Sequence, residues 1–205
     1  MTESNESRPV VNIIGQQVAL GPLRRDLLET YHRWFNNFGT LRTTGARPVP
    51  QTLETLAAQY EGLATPANDS HGVSFTIYRT SDWAPIGSTR LQDVDFHHGT
   101  ADFVIFIGEP SERGKGYGTE ATRLMLDCAF TALGLRNVLL KVYEFNLAGQ
   151  RAYQKAGFRE FGRRHRCHFM GGQFWDVIYM ECLAEDFQSP VLHQVFAPDV
   201  PRGDG

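Results

Sequence analysis

Hydrophobic and polar positions along the chain follow two different periods, and the period changes near Val73. Before that point apolar residues recur every three or four positions, which is typical of helices with one buried face. The first apolar stripe contains Leu27, Leu28, Tyr31, Trp34 and Phe35, and the second contains Leu53, Leu56, Ala57 and Tyr60. The spacing therefore predicts two helices, preceded by a short strand over residues 17–23.

After Val73 aromatic and β-branched residues dominate three short stretches that are separated by turn-forming residues. The stretches read VSFTIYR, PIGSTRLQDVDF and TADFVIFIG, with TSDWA and HHG between them. Short runs of this composition, joined by tight turns, are typical of β-hairpins. The pattern predicts an antiparallel meander of three strands.

The second half of the chain alternates between helical and strand patterns. An amphipathic helix follows the third strand and ends near Gly134, and the stretch NVLLKVYEF predicts the next strand. Asn146 can cap a short helix that Gly157 ends. The last two strands form a hairpin around Gly171 and Gly172. Together these elements predict an α/β fold with a mixed, mostly antiparallel sheet of six or seven strands and about four helices.

Length and composition bound the organisation of the chain. With 205 residues, 41% of them hydrophobic, the chain has the size and the apolar content of one domain with a substantial core. We expect a polar tail over residues 1–9, one domain over residues 10–187 and a C-terminal tail without regular structure over residues 188–205. Three cysteines at irregular spacings do not indicate a disulfide framework, so we interpret them as reduced residues.

Charge and hydropathy exclude several classes of function. The net charge of −3 gives no sign of a surface dedicated to nucleic acid or to an anionic membrane. The first ten residues, MTESNESRPV, lack the apolar core of a signal peptide. We therefore expect a cytoplasmic protein with neither a nucleic-acid nor a membrane partner.

The stretch SERGKGYG carries the clearest chemical signal, because a strand feeds a glycine-rich loop that opens a helix. Backbone N–H groups and the positive end of the helix dipole then meet at one point, which suits a pyrophosphate. A P-loop would need Ser or Thr after Lys115, where Gly116 stands. A dinucleotide site would need this loop in an early βαβ unit, whereas here it follows a meander. The loop by itself leaves the identity of the pyrophosphate ligand open.

The spacing R-x-x-G-x-G over residues 113–118, together with NLAGQRAYQKAGF downstream, resembles the coenzyme A loop and pantetheine-side helix of the GCN5-related N-acetyltransferase (GNAT) family. PIGSTRL, TADFVIFIGEPSERGKGYGTEA and GGQFWDVIYM are similar to the branch with ribosomal-protein N-terminal and spermidine acetyltransferases. The resemblance covers residues 10–187 and is strongest over residues 101–183. It implies a sheet that splays between the strand ending near Ile107 and the strand over residues 138–143, with acetyl-CoA as co-substrate in the gap.

The resemblance also implies roles for individual residues. The backbone of Phe106 and Ile107 would hold the acetyl carbonyl and the pantetheine arm, and Tyr153 would protonate the departing thiolate. A phenol of pKa about 10 and a thiol of about 8.5 are close enough for this proton transfer. The remaining residues expected to bind the cofactor are Arg113, Gly114, Lys115, Gly116, Tyr117, Gly118, Thr119, Asn146 and Arg151.

The acceptor amine needs a group that takes its proton, because a primary amine of pKa about 10.4 is mostly protonated at neutral pH. Asp102 and Glu109, near the two ends of the strand that leads to the loop, are the candidate bases. His97 and His98 in the preceding turn come after them. The alternatives are an ordinary strand carboxylate for Asp102 and an exposed turn for the two histidines.

Aromatic residues are the candidates for binding the acceptor, and we expect Trp34, Phe35 and Trp175 to contact it, although core packing explains most such residues. The acceptor could be a polyamine, an antibiotic amine or a protein N-terminus. Asn37, where relatives often carry an acid, argues against a polyamine. An exposed hairpin strand could also pair two subunits into a homodimer.

Two further patterns have simpler explanations. The stretch HRCH at residues 165–168 lacks a second ligand pair with zinc spacing, so we expect no metal. The arginines around it could touch the 3′-phosphate of coenzyme A, but a solvated strand face explains them as well. The alternative to the enzyme is a non-catalytic module that binds acyl-CoA, against which Tyr153 and Asn146 beside an intact loop argue.

Overall fold

A computed structural model describes residues 8–45, 47–64 and 72–199. Most of the predicted N-terminal tail, the loop after the second predicted helix and the last six residues lie outside these ranges. Within them, no helix is long and apolar enough to cross a membrane.

Eight strands form one sheet in the order β1-β2-β3-β4-β5-β6-β8-β7. All neighbouring pairs are antiparallel except β5 and β6. The mixed, mostly antiparallel sheet is therefore confirmed, with one more strand than predicted because the two-residue β1 pairs with β2. The strands are β1 Ile13–Ile14, β2 Val18–Pro22, β3 Val73–Arg79, β4 Pro85–Asp95, β5 Thr100–Ile107, β6 Asn137–Tyr143, β7 Arg159–Met170 and β8 Gln173–Leu183.

Six α-helices accompany the sheet in the described ranges, two more than predicted. They are α1 Leu28–Phe35, α2 Phe38–Leu41, α3 Leu53–Ala64, α4 Tyr117–Asp127, α5 Leu147–Ala156 and α6 Leu192–Val195. A π-helical turn, Cys128–Ala132, continues α4. The additional helices, α2 and α6, have four residues each, which is too short for a periodic apolar pattern.

The C-terminal tail corrects one expectation, since residues after Phe187 were predicted to have no regular structure. Instead α6 lies against the domain, and Leu192 is 4% exposed in the main core. A single buried leucine and two backbone hydrogen bonds to Asp127 hold this segment. Contacts of this kind leave no periodic signal in the sequence.

The main core lies between the sheet and α4, and a second core lies under α1 and α3. Leu20, Ile77, Met125 and Leu140 belong to the main core and are almost fully buried. Tyr31, Trp34 and Leu56 form the second core, against which Phe106 of β5 packs. Burial of each such side chain contributes about 1.5–3 kcal/mol to stability. The second core therefore holds the end of β5 at Phe106, one of the residues predicted to bind the cofactor.

The sheet opens between β5 and β6, as the resemblance to the family implied. The two strands pair only from Thr100 to Asp102, opposite residues 137–139. From Phe103 to Ile107, β5 stays paired with β4 but has left β6. The edge of β5 that faces β6 is therefore open along five residues, and two cavities meet in this opening.

Candidate active site

The glycine-rich loop follows β5 and turns directly into α4. Gly114 and Gly116 adopt φ values of 77° and 92°, in the left-handed region that favours glycine. Gly116 is also the N-cap of α4, so the free N–H groups of the first helical turn start at the loop. Gly118 has ordinary helical geometry, so the third glycine of the motif is not required by the backbone.

Arg113 fixes this loop to the end of β5. Its Nε and Nη2 atoms donate to the carbonyl oxygen of Ile107 at 3.2 and 3.0 Å, and Nη2 also donates to Thr40 Oγ1 at 2.8 Å. Burial lowers the pKa of the guanidinium. Through these hydrogen bonds Arg113 holds the loop against the end of β5.

Glu112, which the sequence analysis did not single out, holds the other side of the loop. Its carboxylate pairs with Lys115 at 3.1 Å and with Arg79 at 2.8 Å. The hydrogen bond from Lys115, with that from Arg79, holds the pKa of Glu112 below its usual value. The ammonium group of Lys115 is therefore already paired with the carboxylate of Glu112.

A cavity of about 370 Å³ lies in the opening between the loop, β5 and α5. We call it the cofactor cavity. Lys115 and Tyr117 are absent from its lining, and Tyr117 packs on the main core instead. The other residues expected to bind the cofactor all line it: Phe106, Ile107, Arg113, Gly114, Gly116, Gly118, Thr119, Asn146 and Arg151.

Asn146 caps α5 at the mouth of the cofactor cavity. Its Oδ1 atom accepts a hydrogen bond from the N–H group of Gly149 at 3.0 Å, which confirms the predicted cap. A Cβ atom on Gly149 would lie 2.5 Å from the Asn146 side chain, so the cap needs glycine at this position. Gly157 ends the helix with φ 118°.

Tyr153, on α5, lies where two cavities meet. It lines the cofactor cavity and a second cavity of about 390 Å³, which is lined by residues of β5, β6, β7 and β8 and which we call the acceptor cavity. Its ring contacts Phe103 and Phe158 edge to face. Burial raises the pKa of the phenol to about 12. The hydroxyl group of Tyr153 is therefore protonated at neutral pH.

Asp102 is the predicted base that lines the acceptor cavity together with Tyr153. Its carboxylate accepts a hydrogen bond from Lys141 Nζ at 2.9 Å, and this contact raises the pKa of Lys141. Arg164 adds a second cation to the lining. Among the residues seen to line this cavity, Asp102 is the only acid.

Glu109 and the two candidate histidines lie elsewhere. Glu109 lines neither cavity, and its Oε1 atom accepts a hydrogen bond from Trp34 Nε1 at 2.8 Å. His97 and His98 lie in the turn between β4 and β5, where their N–H groups donate to Asp95. The structure therefore brings only Asp102, of these four residues, next to Tyr153.

The three aromatic residues expected to contact the acceptor have different surroundings. Trp34 is buried in the second core, where its ring lies against Gly108, and it lines neither cavity. Trp175 donates from Nε1 to the carbonyl oxygen of Met170 and also lies off the lining. Phe35 lines an apolar cavity of about 440 Å³ between α1, α3 and the sheet.

This apolar cavity adjoins the acceptor cavity, because both are lined by Thr44, Gly45, Gln92 and Val104. Its apolar and aromatic lining residues are Leu23, Leu28, Tyr31, Phe35, Leu56, Tyr60, Leu63, Val104 and Phe106, and serine, threonine and glutamine side chains complete most of the rest. Arg90 is its one charged residue among those that the structure describes. An amine in the acceptor cavity can therefore extend an uncharged group into the apolar cavity.

His168 lines the acceptor cavity, although the sequence analysis considered it only within a metal motif. Its ring stacks on Tyr143 with centroids 3.7 Å apart, and Tyr143 donates to the carbonyl oxygen of Thr44. Burial lowers the pKa of His168, and its Nε2 atom has no hydrogen-bond partner in the described ranges. The imidazole is therefore neutral at physiological pH.

The strand β7 contains a bulge just before His168. Arg164 pairs with Val177 and His168 pairs with Trp175, so four steps on β7 match two on β8. Arg166 inside the bulge has φ 46°, in the left-handed region. Both counts are even, so Arg164 and His168 keep the same face of the strand, and both line the acceptor cavity.

Comparisons with known proteins agree with this geometry. Residues 17–159 match the family model described as an acetyltransferase (GNAT) domain. Spermidine N(1)-acetyltransferase of Escherichia coli K12 is 30% identical over 163 residues, covering 80% of this chain and 84% of that relative. Alpha/beta-tubulin-N-acetyltransferase 9 of Homo sapiens is 28% identical over 160 residues, covering 72% and 75% respectively.

Solved structures show the same architecture. Spermidine N-acetyltransferase from Vibrio cholerae, solved in complex with CoA and spermine, superposes with a TM-score of 0.75 at 26% identity. The match covers 83% of this chain and 97% of that one. Another structure of the Vibrio cholerae enzyme is described as dodecameric.

Proposed function

This chain belongs to the GNAT acetyltransferase family and is an acetyl-CoA-dependent N-acetyltransferase, and we propose that its acceptor is a primary amine attached to an apolar or aromatic group. Both cavities and Tyr153 between them support direct transfer in a ternary complex. An N-terminal residue with a large apolar side chain or an arylalkylamine fits this description.

The reaction needs the acetyl carbon beside the acceptor nitrogen. We propose that acetyl-CoA lies in the cofactor cavity, with its diphosphate at the N–H groups of the loop and of α4. The open backbone edge of β5 would bind the pantetheine arm and the thioester carbonyl. In this arrangement the thioester reaches Tyr153, which also borders the acceptor cavity.

The proton and bond changes then follow. The amine nitrogen attacks the acetyl carbon, the new N–C bond forms, and the C–S bond breaks. Asp102 takes the proton of the amine, directly or through one water, because it is the acid that borders the acceptor cavity. Tyr153 donates its phenolic proton to the departing thiolate; its raised pKa means that the proton is present at neutral pH, and it also makes the phenol a weaker acid than an ordinary tyrosine.

The charged residues that line the acceptor cavity are the main support for the proposed class of acceptor. Asp102 is already paired with Lys141, and Arg164 adds a further positive charge to the lining of the acceptor cavity. A polycation would meet repulsion there, because no unpaired carboxylate among the described lining residues offsets its charges. An amine with one positive charge and an apolar body avoids this cost and gains apolar burial.

Spermidine is the second candidate acceptor, and the relatives favour it. Two of the proteins to which this chain is similar are spermidine acetyltransferases, one of them solved with spermine. That identity is 30% or less, which leaves room for a different lining of the acceptor cavity.

Thiol release from acetyl-CoA, measured over matched amines, separates the two candidates. We expect phenethylamine and a peptide beginning with Leu to give a higher kcat/KM than spermidine or putrescine. A higher kcat/KM for spermidine would overturn the proposal on acceptor class and leave the acetyltransferase assignment intact. Acetyl-CoA with no added amine serves as the control for hydrolysis.

A further inference from the structure

Two acidic residues on α4, seven positions apart, each bind backbone N–H groups of a distant part of the chain. Glu120 accepts hydrogen bonds from the N–H groups of Gln16 and Gln17, in the turn between β1 and β2. Asp127 accepts from the N–H groups of Val191 and Leu192 at 3.0 and 2.8 Å. Because a seven-residue separation returns to the same helix face, both carboxylates hold their segments along one side of α4.

The Asp127 contact is completely buried. The residue has no exposed surface, and its second oxygen accepts a hydrogen bond from Thr131 Oγ1 at 2.8 Å. Buried carboxylates are costly unless their oxygens accept hydrogen bonds, so three donors on one carboxylate make a specific anchor. Phe187 packs on Phe130 and Leu192 enters the core on either side of this anchor.

The two segments face each other across a cavity of about 660 Å³. Gly15, Gln16 and Gln17 line it from the N-terminal side, and Pro190 and Val191 line it from the C-terminal side. We call it the flanking cavity. It shares Gly116, Thr119 and Lys155 with the cofactor cavity, so the two spaces are continuous around the glycine-rich loop.

The charges of the flanking cavity suit an anion. Arg123 and Lys155 line it, and neither forms an ion pair with any residue that the structure describes. Glu120 is the acid in the lining, and its oxygens are occupied by backbone N–H groups. If a ligand bound its diphosphate at the glycine-rich loop and extended into the flanking cavity, a further phosphate group on it would lie near Arg123 and Lys155.

We propose that residues 187–196 form one wall of the site for the nucleotide end of coenzyme A, and that Asp127 is the positioning residue that fixes this wall. The proposal rests on the proposed function, since it assumes that coenzyme A occupies the cofactor cavity. The wall lies beyond residue 159, where the match to the family model ends.

The test compares two acetyl donors that differ in their nucleotide part. Acetyl-CoA reaches the flanking cavity, whereas S-acetylpantetheine lacks the nucleotide and ends before it. For Asp127→Asn we expect the KM for acetyl-CoA to rise about tenfold, the scale of a weakened hydrogen bond to a charged group. We expect kcat and the KM for S-acetylpantetheine to stay unchanged, a split that general loss of stability would not produce.

Two further variants make the result decisive. Val191→Ala leaves the Asp127 anchor intact but shortens the wall, and it should raise the same KM if Asp127→Asn fails to fold. Glu160→Gln changes a surface carboxylate that lines none of these cavities, and it should leave both KM values unchanged. Equal KM changes for the two donors, or none in either wall variant, would overturn the proposal. Failure of the wild-type protein to bind coenzyme A would instead overturn the proposed function.

Discussion

Tyr153 and Phe103 meet edge to face with ring centroids 6.3 Å apart, at the boundary between the cofactor and acceptor cavities. The ring contacts of Tyr153 need no hydroxyl group, so Tyr153→Phe should keep its packing while removing the proton donor. We expect kcat to fall by about 10²- to 10³-fold, the typical contribution of a general acid. Thiol release under saturating acetyl-CoA and amine measures this change.

The same variant should bind coenzyme A as the wild type does, which a thermal shift with added coenzyme A can establish. An unchanged kcat would remove Tyr153 from the proposed mechanism. A loss of coenzyme A binding would show that the hydroxyl group acts on the cofactor site.

The pH profile gives an independent test of the proton donor. Burial raises the pKa of Tyr153 to about 12, so the phenol remains protonated well above the pH at which an ordinary tyrosine ionises. The rate should rise with pH as the acceptor amine loses its proton and should not fall near pH 10. A decline centred near pH 10 would contradict the role of Tyr153. Stopped assays with buffers overlapping from pH 6 to pH 10.5 would reveal it.

Two carboxylates at the ends of β5 should behave differently. Asp102→Asn removes the acid of the acceptor cavity, so we expect kcat/KM for the amine to fall by about 10²-fold or more. Glu109→Gln is the matched control, because Glu109 binds Trp34 and lines neither cavity. It should lower the melting temperature and leave kcat nearly unchanged. The opposite ranking of the two variants would make Glu109 the base.

The three cysteines should differ in reactivity. Burial raises the pKa of Cys128 and Cys182 to about 11, so both remain thiols at pH 8 and react slowly. Cys167 is partly exposed and lines the acceptor cavity. Iodoacetamide should therefore modify Cys167 first, which peptide mass spectrometry would detect, and should block the amine without blocking coenzyme A. Cys167→Ser is the control, and inactivation of that variant at the same rate would contradict the assignment.

Glu112 should make the stability of the loop depend on pH. Its pKa is lowered in the folded protein, so its charged form stabilises the fold above the unfolded value of about 4.3, and this contribution disappears as pH falls through the lower folded value. The difference in melting temperature between the wild type and Glu112→Gln should be largest at pH 7 and should shrink below about pH 4. Scans at both pH values measure it. A difference that does not depend on pH would exclude the ion pairs with Lys115 and Arg79 as its cause.

Much of the fold could be predicted because local signals and tertiary structure agree. Strand patterns gave the meander, Asn146 and Gly157 marked the ends of α5, and Gly171 and Gly172 marked the last hairpin turn. The resemblance to the family added the opening between β5 and β6, which no local pattern encodes.

The site was predictable on the cofactor side and much less so on the acceptor side. The loop concentrates its chemistry in six consecutive residues, whereas the acceptor cavity collects side chains from β5, β6, β7 and the loop after α2. His168 is held at this cavity by its stacking on Tyr143 of β6, and burial in the second core gave Trp34 a packing contact in place of an acceptor contact. Both effects depend on tertiary structure.

The opening between β5 and β6 also has an evolutionary consequence. Where a ligand is bound through main-chain N–H and C=O groups, these hydrogen bonds do not depend on the side chain at that position, because every residue except proline carries both groups. Substitutions along the open edge of β5 would therefore leave these main-chain groups in place, whereas a substitution in the acceptor cavity changes the side chains that meet the amine. We therefore expect a change of acceptor amine to need substitutions in the acceptor cavity alone, with acetyl-CoA kept as the acetyl donor.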